Sequence, residues 1–373
     1  MPQRNNKILF ILHCPPPVHG SAVIGLQIKD SATINAAFDC SFINLSTSKS
    51  IGDIGKNAFS KILRYFSIIW KVLFNLIVFR PGLCYFAITA KGIGFYKDFL
   101  LVLLVKIFRI KLVYHFHNKG VSKSQHKWLD NLLYRFSFKS ADVILLSPLL
   151  YSDIQKYVSL NAVHYCPNGI MPIVNDSQKL ATEKKDLIEI LFLGNMIETK
   201  GVYILLDACK ILKQKAIIFH CTFVGGWSDI TETQLQERIS LMELTDSVSY
   251  AGKKEGKAKH DFLVKADIFV FPTYYDKECF PLVLLEAMQF NLPIISTYEG
   301  GIRDIVQDGI TGFLVPQKDA VALAQKLEQL IDNGDLRKVM GEKGKIRYEK
   351  NFTLHRFENN LITILKDCLV KIA

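Results

Sequence analysis

The 373-residue chain has no closely spaced pair of cysteines. Its eight cysteines are scattered singly along the chain, and no Cys-x-x-Cys spacing occurs. This pattern excludes a zinc knuckle or a redox pair built from neighbouring cysteines. Scattered single cysteines are typical of a reducing compartment, so we expect a cytoplasmic protein.

Long uncharged apolar runs are also missing. The longest, residues 72–79 and 99–105, fall well short of the roughly 20 residues that cross a bilayer. The run at 7–12 is too short for a signal peptide and lacks a small-residue cleavage site. We therefore expect no membrane-spanning segment and interpret residues 7–12 as a buried first strand.

Acidic residues are scarce in the first half, where the first glutamate is Glu183. Residues 1–170 hold 20 basic and 7 acidic side chains, a net charge of +13, whereas the remainder holds 26 and 28, a net charge of −2. A half this basic suits nucleic acid, an anionic membrane or an acidic ligand. Because no usual nucleic-acid-binding motif occurs, we expect no nucleic acid partner.

The segment 59–80 interleaves basic residues with bulky apolar ones. This composition is typical of a helix lying in the headgroup layer of an anionic membrane. The alternative is an ordinary domain helix that packs on its sheet with basic residues outward. We expect Lys61, Arg64, Trp70 and Lys71 to form an acceptor-binding or membrane-binding surface.

Alternating strand and helix patterns predict an α/β fold with parallel sheets. Strands are predicted at 7–12, 41–44, 83–88, 111–116, 143–146 and 163–166, and then at 187–193, 218–224, 248–251, 268–271, 294–296 and 313–315. Helices should fill the gaps, including 20–30 and 127–139. The polar residues 171–186 are predicted to form a linker, and residues 353–369 follow a helical pattern.

Two glutamates, Glu278 and Glu286, flank a predicted loop-to-helix junction. Pro281 suits the first helical position, and the apolar residues after it have helical spacing. Backbone N–H groups at such a helix start favour a diphosphate, and a carboxylate accepts hydrogen bonds from two vicinal hydroxyls. Spacing alone is equally consistent with a loop acid and a surface helix residue.

Residues 266–316 resemble the signature region of the retaining family 4 glycosyltransferases. The resemblance rests on Ala266-Asp267, Pro272-Thr273, Glu278-Cys279-Phe280-Pro281, Glu286-Ala287-Met288 and Gly300-Gly301. Weaker similarity extends over nearly the whole chain. It implies the GT-B architecture, in which two Rossmann-like domains with parallel sheets face each other across a cleft and a C-terminal helix crosses back to the N-terminal domain.

The resemblance also implies a division of labour between the halves. Residues 1–170 would form the domain that binds the acceptor, and the linker 171–186 would follow it. Residues 187–352 would form the domain that binds the nucleotide sugar, and residues 353–373 would form the crossover helix. The implied donor-binding residues are Gly20, Asn195, Lys200, Gly252, Lys253, Glu278, Cys279, Phe280, Pro281, Leu282 and Glu286. The family usually has an arginine where this chain has Asn195, and Gly-Gly where it has His19-Gly20.

His115 and His117 alternate on a predicted strand, so they share one face. Such a pair could ligate a metal, but no third ligand is nearby in sequence. The resemblance implies instead that His117 lies near the donor sugar and that His115 supports it. The expected catalytic residues are His117, Lys200 and Glu278. Glu278 would orient the sugar, and Glu286 would bind the ribose diol.

The implied reaction is transfer of a sugar from a nucleotide diphosphate sugar with retention of anomeric configuration. Lys200 and backbone amides would stabilise the leaving diphosphate. No Asp-x-Asp triplet occurs, and metal-dependent glycosyltransferases use that motif, so we expect no metal and no cofactor. Without the resemblance, the sequence favours the interpretation of Lys200 as a surface residue at a helix start.

The basic, aromatic first half suits a lipid-linked saccharide acceptor. We therefore expect a peripheral enzyme on the inner face of the cytoplasmic membrane, active in surface polysaccharide or lipopolysaccharide synthesis. One alternative is a nucleotide-sugar epimerase of the same architecture. Another is a non-catalytic sugar-nucleotide-binding protein, which the missing arginine at Asn195 would favour.

Overall fold

The structure is a computed structural model that describes residues 6–46, 58–173 and 187–370, without the side chains of residues 58–61. The chain divides into two compact units. Unit 1 comprises Met1–Asn168 together with His355–Ala373, and unit 2 comprises Gly169–Leu354. Most of the predicted linker 171–186 lies outside the described residues.

Unit 1 is built on a parallel six-stranded sheet. Its strands are β1 (Lys7–Leu12), β2 (Asp39–Asn44), β3 (Leu83–Phe86), β4 (Lys111–Phe116), β5 (Asp142–Leu145) and β6 (Val163–Tyr165). They are hydrogen-bonded in the order β2-β1-β3-β4-β5-β6. The central strands are buried almost throughout because helices cover both faces, which explains their continuous apolar sequences.

The helices of unit 1 connect these strands. They are α1 (Gly20–Asp30), α2 (Ala32–Ala37), α3 (Ala58–Phe74), α4 (Gly92–Ile107), α5 (Val121–Ser124) and α6 (Trp128–Phe138). Helix α3 continues into a π-helical turn, Asn75–Phe79, which ends where Arg80 adopts a left-handed conformation. Helix α1 begins at Gly20, as predicted, and the His19 ring caps it by accepting from the Ala22 amide.

Unit 2 contains the second parallel sheet. Its strands are β7 (Ile188–Leu193), β8 (Phe219–Val224), β9 (Val248–Tyr250), β10 (Ile268–Phe271), β11 (Ile294–Thr297) and β12 (Gly312–Val315). Their order is β12-β11-β10-β7-β8-β9. The helices are α7 (Val202–Gln214), α8 (Glu232–Leu241), α9 (Gly256–Lys265), α10 (Leu282–Gln289), α11 (Ile302–Ile305), α12 (Ala320–Asp332) and α13 (Gly334–Asn351).

The last helix, α14 (Leu354–Val370), belongs to unit 1 from His355 onward. Its Phe357 ring stacks on His115 with centroids 6.4 Å apart, and the Cys166 thiol contacts the Phe357 carbonyl at 3.8 Å. The predicted return of the C-terminal helix to the N-terminal domain is therefore confirmed. The α/β class and each predicted strand are confirmed as well, with small shifts at the strand ends.

Each sheet has one point where the strand order reverses. It lies between β1 and β3 in unit 1 and between β7 and β10 in unit 2. In doubly wound sheets, ligands bind beyond the carboxyl ends of the strands at this point. The segments that follow these strands are therefore where functional side chains are expected.

One helical stretch differs from the expectation that no segment could span a membrane. Ile62–Phe79 is 18 residues long with a mean hydropathy of 1.7, and only 17% of it is buried. By length and composition alone it could cross a bilayer, since it carries only two charges, Arg64 and Lys71. The sequence-based prediction counted only uncharged runs, and Arg64 and Lys71 divide this stretch into shorter ones.

Candidate functional site

Glu286 lies on α10 with a side chain that is 17% exposed. Its Oε1 accepts a hydrogen bond from Lys259 Nζ of α9 at 2.7 Å. Its Oε2 is buried and has no hydrogen-bond partner among the described residues. A buried polar atom left unpaired costs about 1–3 kcal/mol, so this oxygen is suited to a ligand that donates a hydrogen bond. Sequence reasoning missed Lys259 because nothing in its spacing marks it as a partner.

Glu278 lies half-buried on the loop that precedes α10. The Gly300-Gly301 turn packs directly against this loop, because the Gly301 amide donates to the Cys279 carbonyl at 2.7 Å. Gly300 has a φ of 55°, and a Cβ there would come within 2.4 Å of the Glu278 carbonyl oxygen. The two motifs that carried the resemblance therefore form one packed unit.

The start of α10 corrects one detail of the sequence analysis. Pro281 was expected at the first helical position, but it is the N-cap, because its ψ of 119° is extended and the helix begins at Leu282. No described side chain caps this helix start. Cys279 and Phe280 are buried, with 2% and 4% of each residue exposed. Their side chains support the loop.

Lys200 ends the short 3-10 turn Glu198–Lys200, which follows β7. Gly201, with a φ of 87°, lies so close to the end of β10 that a Cβ there would be 2.2 Å from the Pro272 carbonyl oxygen. This close approach holds Lys200 at the strand-order reversal. Lys200 Nζ lies 5.8 Å from the centre of the Phe271 ring and has no ion pair among the described residues.

Asn195 and Lys253 approach the same glycine, Gly226. A Cβ on Gly226 would lie 3.4 Å from Asn195 Oδ1 and 3.8 Å from Lys253 Cδ. Lys253 is exposed and pairs with the equally exposed Glu255 at 2.7 Å. This lysine is therefore a cation close to the position where the family usually has an arginine. Gly252, with a φ of 79°, precedes it in an open loop.

Two aromatic rings lie beside this group. Trp227 and Tyr250 have ring centroids 4.0 Å apart, and the Tyr250 hydroxyl donates to the Gly225 carbonyl at 2.7 Å. They follow β8 and end β9, on the same edge of the sheet as Lys200. The cavity of about 550 Å³ in unit 2 that is lined by Gln289, Tyr348 and Thr353 includes none of the predicted site residues.

The carboxyl edge of the sheet in unit 1 carries a group of histidines. His115 is fully buried, and its Nδ1 is hydrogen-bonded to the Tyr85 hydroxyl at 2.6 Å. The His115 and His117 rings are 4.2 Å apart, as expected for two residues on one face of a strand. His13, which follows β1, and His19 have ring centroids 5.9 Å apart. His13 was not predicted as a site residue.

These histidines are electrically neutral near neutral pH. Burial, with smaller effects from His13 and His19, lowers the pKa of His117 to about 3. Burial, followed by His19 and Lys97, lowers the pKa of His13 to about 4. The Nδ1 atom of His117 is buried and finds no hydrogen-bond partner within the described chain. A neutral imidazole with an unpaired nitrogen is suited to a polar, uncharged ligand such as a sugar hydroxyl.

Helix α3 exposes an apolar stripe. Ile62, Phe66, Trp70, Phe74 and Val78 recur every four residues, and each is at least half exposed, with Trp70 at 67%. Arg64 and Lys71 are exposed on the same helix, whereas the side chain of Lys61 is outside the described set. The opposite face, with Val72 and Leu76, is buried against unit 1. The helix therefore packs on the domain and also presents apolar side chains outward.

Comparison with known proteins decides how unit 2 is classified. Residues 174–347 match the sequence model of the family described as Glycosyl transferases group 1. The matched region covers slightly less than half of the chain. It includes Asn195, Lys200, Glu278 and Glu286, together with Lys259.

Relatives and structural neighbours agree with this assignment. A putative colanic acid biosynthesis glycosyltransferase, WcaL of Escherichia coli, is 30% identical over 48% of this chain and 45% of its own. Sucrose-phosphate synthase from Thermosynechococcus elongatus superposes with a TM-score of 0.76 at 18% identity, over 98% of this chain and 100% of that one. Anabaena HepE in complex with UDP-glucose superposes with a TM-score of 0.70 at 17% identity, over 97% of this chain and 99% of that one.

These matches differ in what they establish. The chain spans about half the length of the curated relatives it matches, because the aligned segments cover 36–59% of the first four. The structural neighbours are too distant in sequence to show more than the fold. Together they show a GT-B-like fold in which residues 174–347 are similar to the glycosyl transferases group 1 family.

Proposed function

We propose that the protein is a retaining glycosyltransferase that transfers a sugar from a nucleotide diphosphate sugar to a lipid-linked saccharide. The main supporting observation is the state of the Glu286 carboxylate. One of its oxygens accepts a hydrogen bond from Lys259, and the other is buried without a hydrogen-bond partner among the described residues. An acceptor-only group in that state suits a ribose hydroxyl. The similarity of residues 174–347 to the group 1 family and the UDP-glucose bound to HepE support a nucleotide-sugar donor.

The remaining donor contacts follow from charge. Lys200, at the strand-order reversal of unit 2, would neutralise the diphosphate, and the N–H groups at the start of α10 would add hydrogen bonds. Lys253 lies beside Asn195, the position at which the family usually has an arginine. It would supply the second positive charge in place of that arginine. Glu278, held in place by the Gly300-Gly301 turn, would orient the donor sugar. Gly20, at the open start of α1, would bring a backbone amide toward the phosphates.

The chemical step depends on the diphosphate leaving. Negative charge develops on it while positive charge develops on the sugar ring, so prearranged cations and N–H groups lower the barrier most. His117 would contact the donor sugar near the reacting carbon, because its ring is neutral and its Nδ1 has no hydrogen-bond partner in the described chain. His115, which is hydrogen-bonded to the Tyr85 hydroxyl, would position His117. We propose that no metal takes part, because the chain lacks an Asp-x-Asp triplet.

The acceptor and the membrane would be bound by unit 1. Three adjoining helices expose large apolar side chains there, including Trp70 of α3, Ile93 of α4 and Trp128 of α6. A hydrogen bond from the Tyr65 hydroxyl to the Lys97 carbonyl joins α3 to α4. A second one, from the Tyr96 hydroxyl to Asp130 Oδ1 at 2.6 Å, joins α4 to α6. An apolar surface on a half with a net charge of +13 suits an anionic membrane.

This surface supports a peripheral enzyme on the inner face of the cytoplasmic membrane. The name of WcaL places that relative in colanic acid biosynthesis, which supports a role in surface polysaccharide or lipopolysaccharide synthesis for this chain. The acceptor would then be a saccharide on a lipid diphosphate, whose negative charge is complementary to unit 1.

Release of nucleoside diphosphate from a panel of nucleotide sugars tests the proposal. We expect slow release without acceptor, faster release with lipid-linked saccharides, and an anomeric product of unchanged configuration by NMR. The substitution Lys200→Ala should lower the rate, because leaving-group charge is then uncompensated. Lys210→Ala, which replaces a half-buried lysine of α7, is the matched control.

Two other functions are distinguished by the same assay. Asn195 in place of the family arginine favours a protein that binds nucleotide sugars without turning them over, and such a protein would bind a donor and release nothing. An epimerase would convert the sugar without any acceptor. Either result would replace the transferase proposal.

A further inference from the structure

Asp142, His164 and Cys368 bring three metal-ligating atoms together in unit 1. His164 Nε2 lies 3.6 Å from Asp142 Oδ1 and 3.7 Å from Cys368 Sγ, and all three atoms lie within 4.8 Å of one another. Asp142 is the first residue of β5, so the cluster is remote from the carboxyl edge that carries the histidines. It is the one such group in the part of the chain that the structure describes.

The separations between these atoms are informative. A nitrogen–oxygen distance of 3.6 Å is too long for a hydrogen bond. Tetrahedral zinc, with bonds of about 2.0–2.1 Å to nitrogen or oxygen and about 2.3 Å to sulfur, holds N and O ligands roughly 3.3 Å apart and N and S ligands roughly 3.6 Å apart. The two distances from His164 Nε2, 3.6 Å to Asp142 Oδ1 and 3.7 Å to Cys368 Sγ, are therefore close to those of ligands that share an ion.

Asp142 faces His164 through Oδ1. Lys111 Nζ lies 2.7 Å from the other oxygen, Oδ2, and so helps to fix the orientation of the carboxylate. A second partner that orients a ligating carboxylate is usual around metal sites. Asp142 and Cys368 are buried, whereas the His164 side chain is 16% exposed, so water can reach the cluster at His164.

We propose that Asp142, His164 and Cys368 bind one zinc ion, with water as the fourth ligand. A thiolate, an imidazole and a carboxylate form a mixed set that suits zinc, whereas magnesium and calcium prefer oxygen ligands alone. Binding displaces the thiol proton of Cys368 to solvent, because the thiolate is the ligand. The basic Lys111, paired with Asp142 Oδ2, weakens the site because it competes with the metal for the carboxylate charge.

The ion would have a structural role. Cys368 lies near the end of α14, His164 lies on the edge strand β6, and the two are 204 residues apart in the chain. A shared ion would pin the last helix to the edge of the sheet, and its binding energy would add to the stability of unit 1. This inference is independent of the proposed sugar transfer, and its tests do not use activity.

Metal binding by the full chain tests the proposal. After chelator treatment and dialysis, the protein is titrated with Zn²⁺ and with Co²⁺, and bound metal is measured by mass spectrometry. We expect one equivalent in the wild type and affinity at least about 100-fold lower in Cys368→Ser and His164→Asn. The matched controls are Cys40→Ser on β2 and His355→Asn on α14, which should bind like the wild type.

Two further readouts remain decisive if a variant fails to fold. Co²⁺ bound to Cys368 should give a thiolate-to-cobalt charge-transfer band in the wild-type protein, and Zn²⁺ should raise its melting temperature. Absence of that band in the stripped wild type would overturn the proposal. So would equal zinc content and equal stabilisation in the wild type and in folded Cys368→Ser, because the three residues would then form only an ion-pair cluster.

Discussion

Lys259 Nζ lies 2.7 Å from Glu286 Oε1, on the side of the carboxylate opposite the unpaired Oε2. Both side chains are largely buried, with 26% and 17% exposed. The lysine thus fixes the orientation of the carboxylate and offsets its charge. If Oε2 binds the donor ribose, Lys259 is part of the donor site although it need not touch the donor.

A double-mutant cycle between Lys259 and Glu286 tests this relationship. Lys259→Met and Glu286→Gln should each weaken nucleotide-sugar binding in calorimetry, but the double substitution should cost less than the two losses added together. Residues in one ion pair typically show a coupling energy of 0.5–3 kcal/mol, so we expect about 1 kcal/mol or more. Additive losses would mean that the two residues act independently.

The Gly300 turn should be sensitive to a single methyl group. In Gly300→Ala the new Cβ would meet the Glu278 carbonyl, so the loop or the turn must move. Gly309→Ala is the matched control, because its φ of 71° imposes similar backbone strain while no described atom lies within 4 Å of its Cβ. Gly300→Ala should lower the melting temperature by at least about 4 °C more than the control and should weaken donor binding. Equal effects would argue against the clash.

Stability should fall on acidification because His117 and His13 are held neutral. Their pKa values of about 3 and about 4 lie below the usual 6.5, so the unfolded chain takes up protons first as the pH falls. Each histidine then costs about 2 kcal/mol of folding free energy between pH 7 and pH 5.

Denaturant unfolding across that pH range measures this loss. His117→Asn should give a flatter pH profile than the wild type, because the substitution removes a group whose pKa folding lowers. Parallel wild-type and His117→Asn profiles would show that His117 is protonated equally in both states.

The exposed face of α3 should govern membrane binding. Replacing Phe66 and Trp70 by Gln removes two large apolar side chains and should weaken binding to anionic liposomes about 10- to 100-fold in flotation assays. Leu241→Gln, at an exposed apolar residue of α8 in unit 2, should have no effect. Binding should also fall with salt. Wild-type protein that fails to float with anionic liposomes at low salt would refute the membrane claim.

The fold was predictable because its signals are local. Parallel strands such as β4 and β10 are buried on both faces, so each is a short apolar run that a sequence reveals directly. Helix α1 was placed correctly because His19-Gly20 follows a proline-rich loop. The long helix Ile62–Phe79 was underestimated because Arg64 and Lys71 interrupt its apolar residues without ending the helix.

In the sequence, the candidate site residues of unit 2 are indicated mainly by a resemblance. Glu278, Glu286 and Gly300 lie within one short region, whereas Lys259 joins them through packing between α9 and α10. The same limit applies to Asp142, His164 and Cys368, which are far apart in the chain and meet only when the last helix returns to unit 1. Chemistry assembled by tertiary contacts between distant segments leaves no periodic or short-range signal.

The most direct test of the central claim is a thermal-shift screen of nucleotide sugars against the wild type and Glu286→Gln, with Glu342→Gln on the exposed face of α13 as control. A ligand that binds the folded state raises the melting temperature. We predict that at least one nucleotide diphosphate sugar stabilises the wild type and the control, and that its affinity falls about 10- to 100-fold in Glu286→Gln through loss of a charged hydrogen bond. No stabilisation by any nucleotide sugar, or equal stabilisation of all three proteins, would contradict the account.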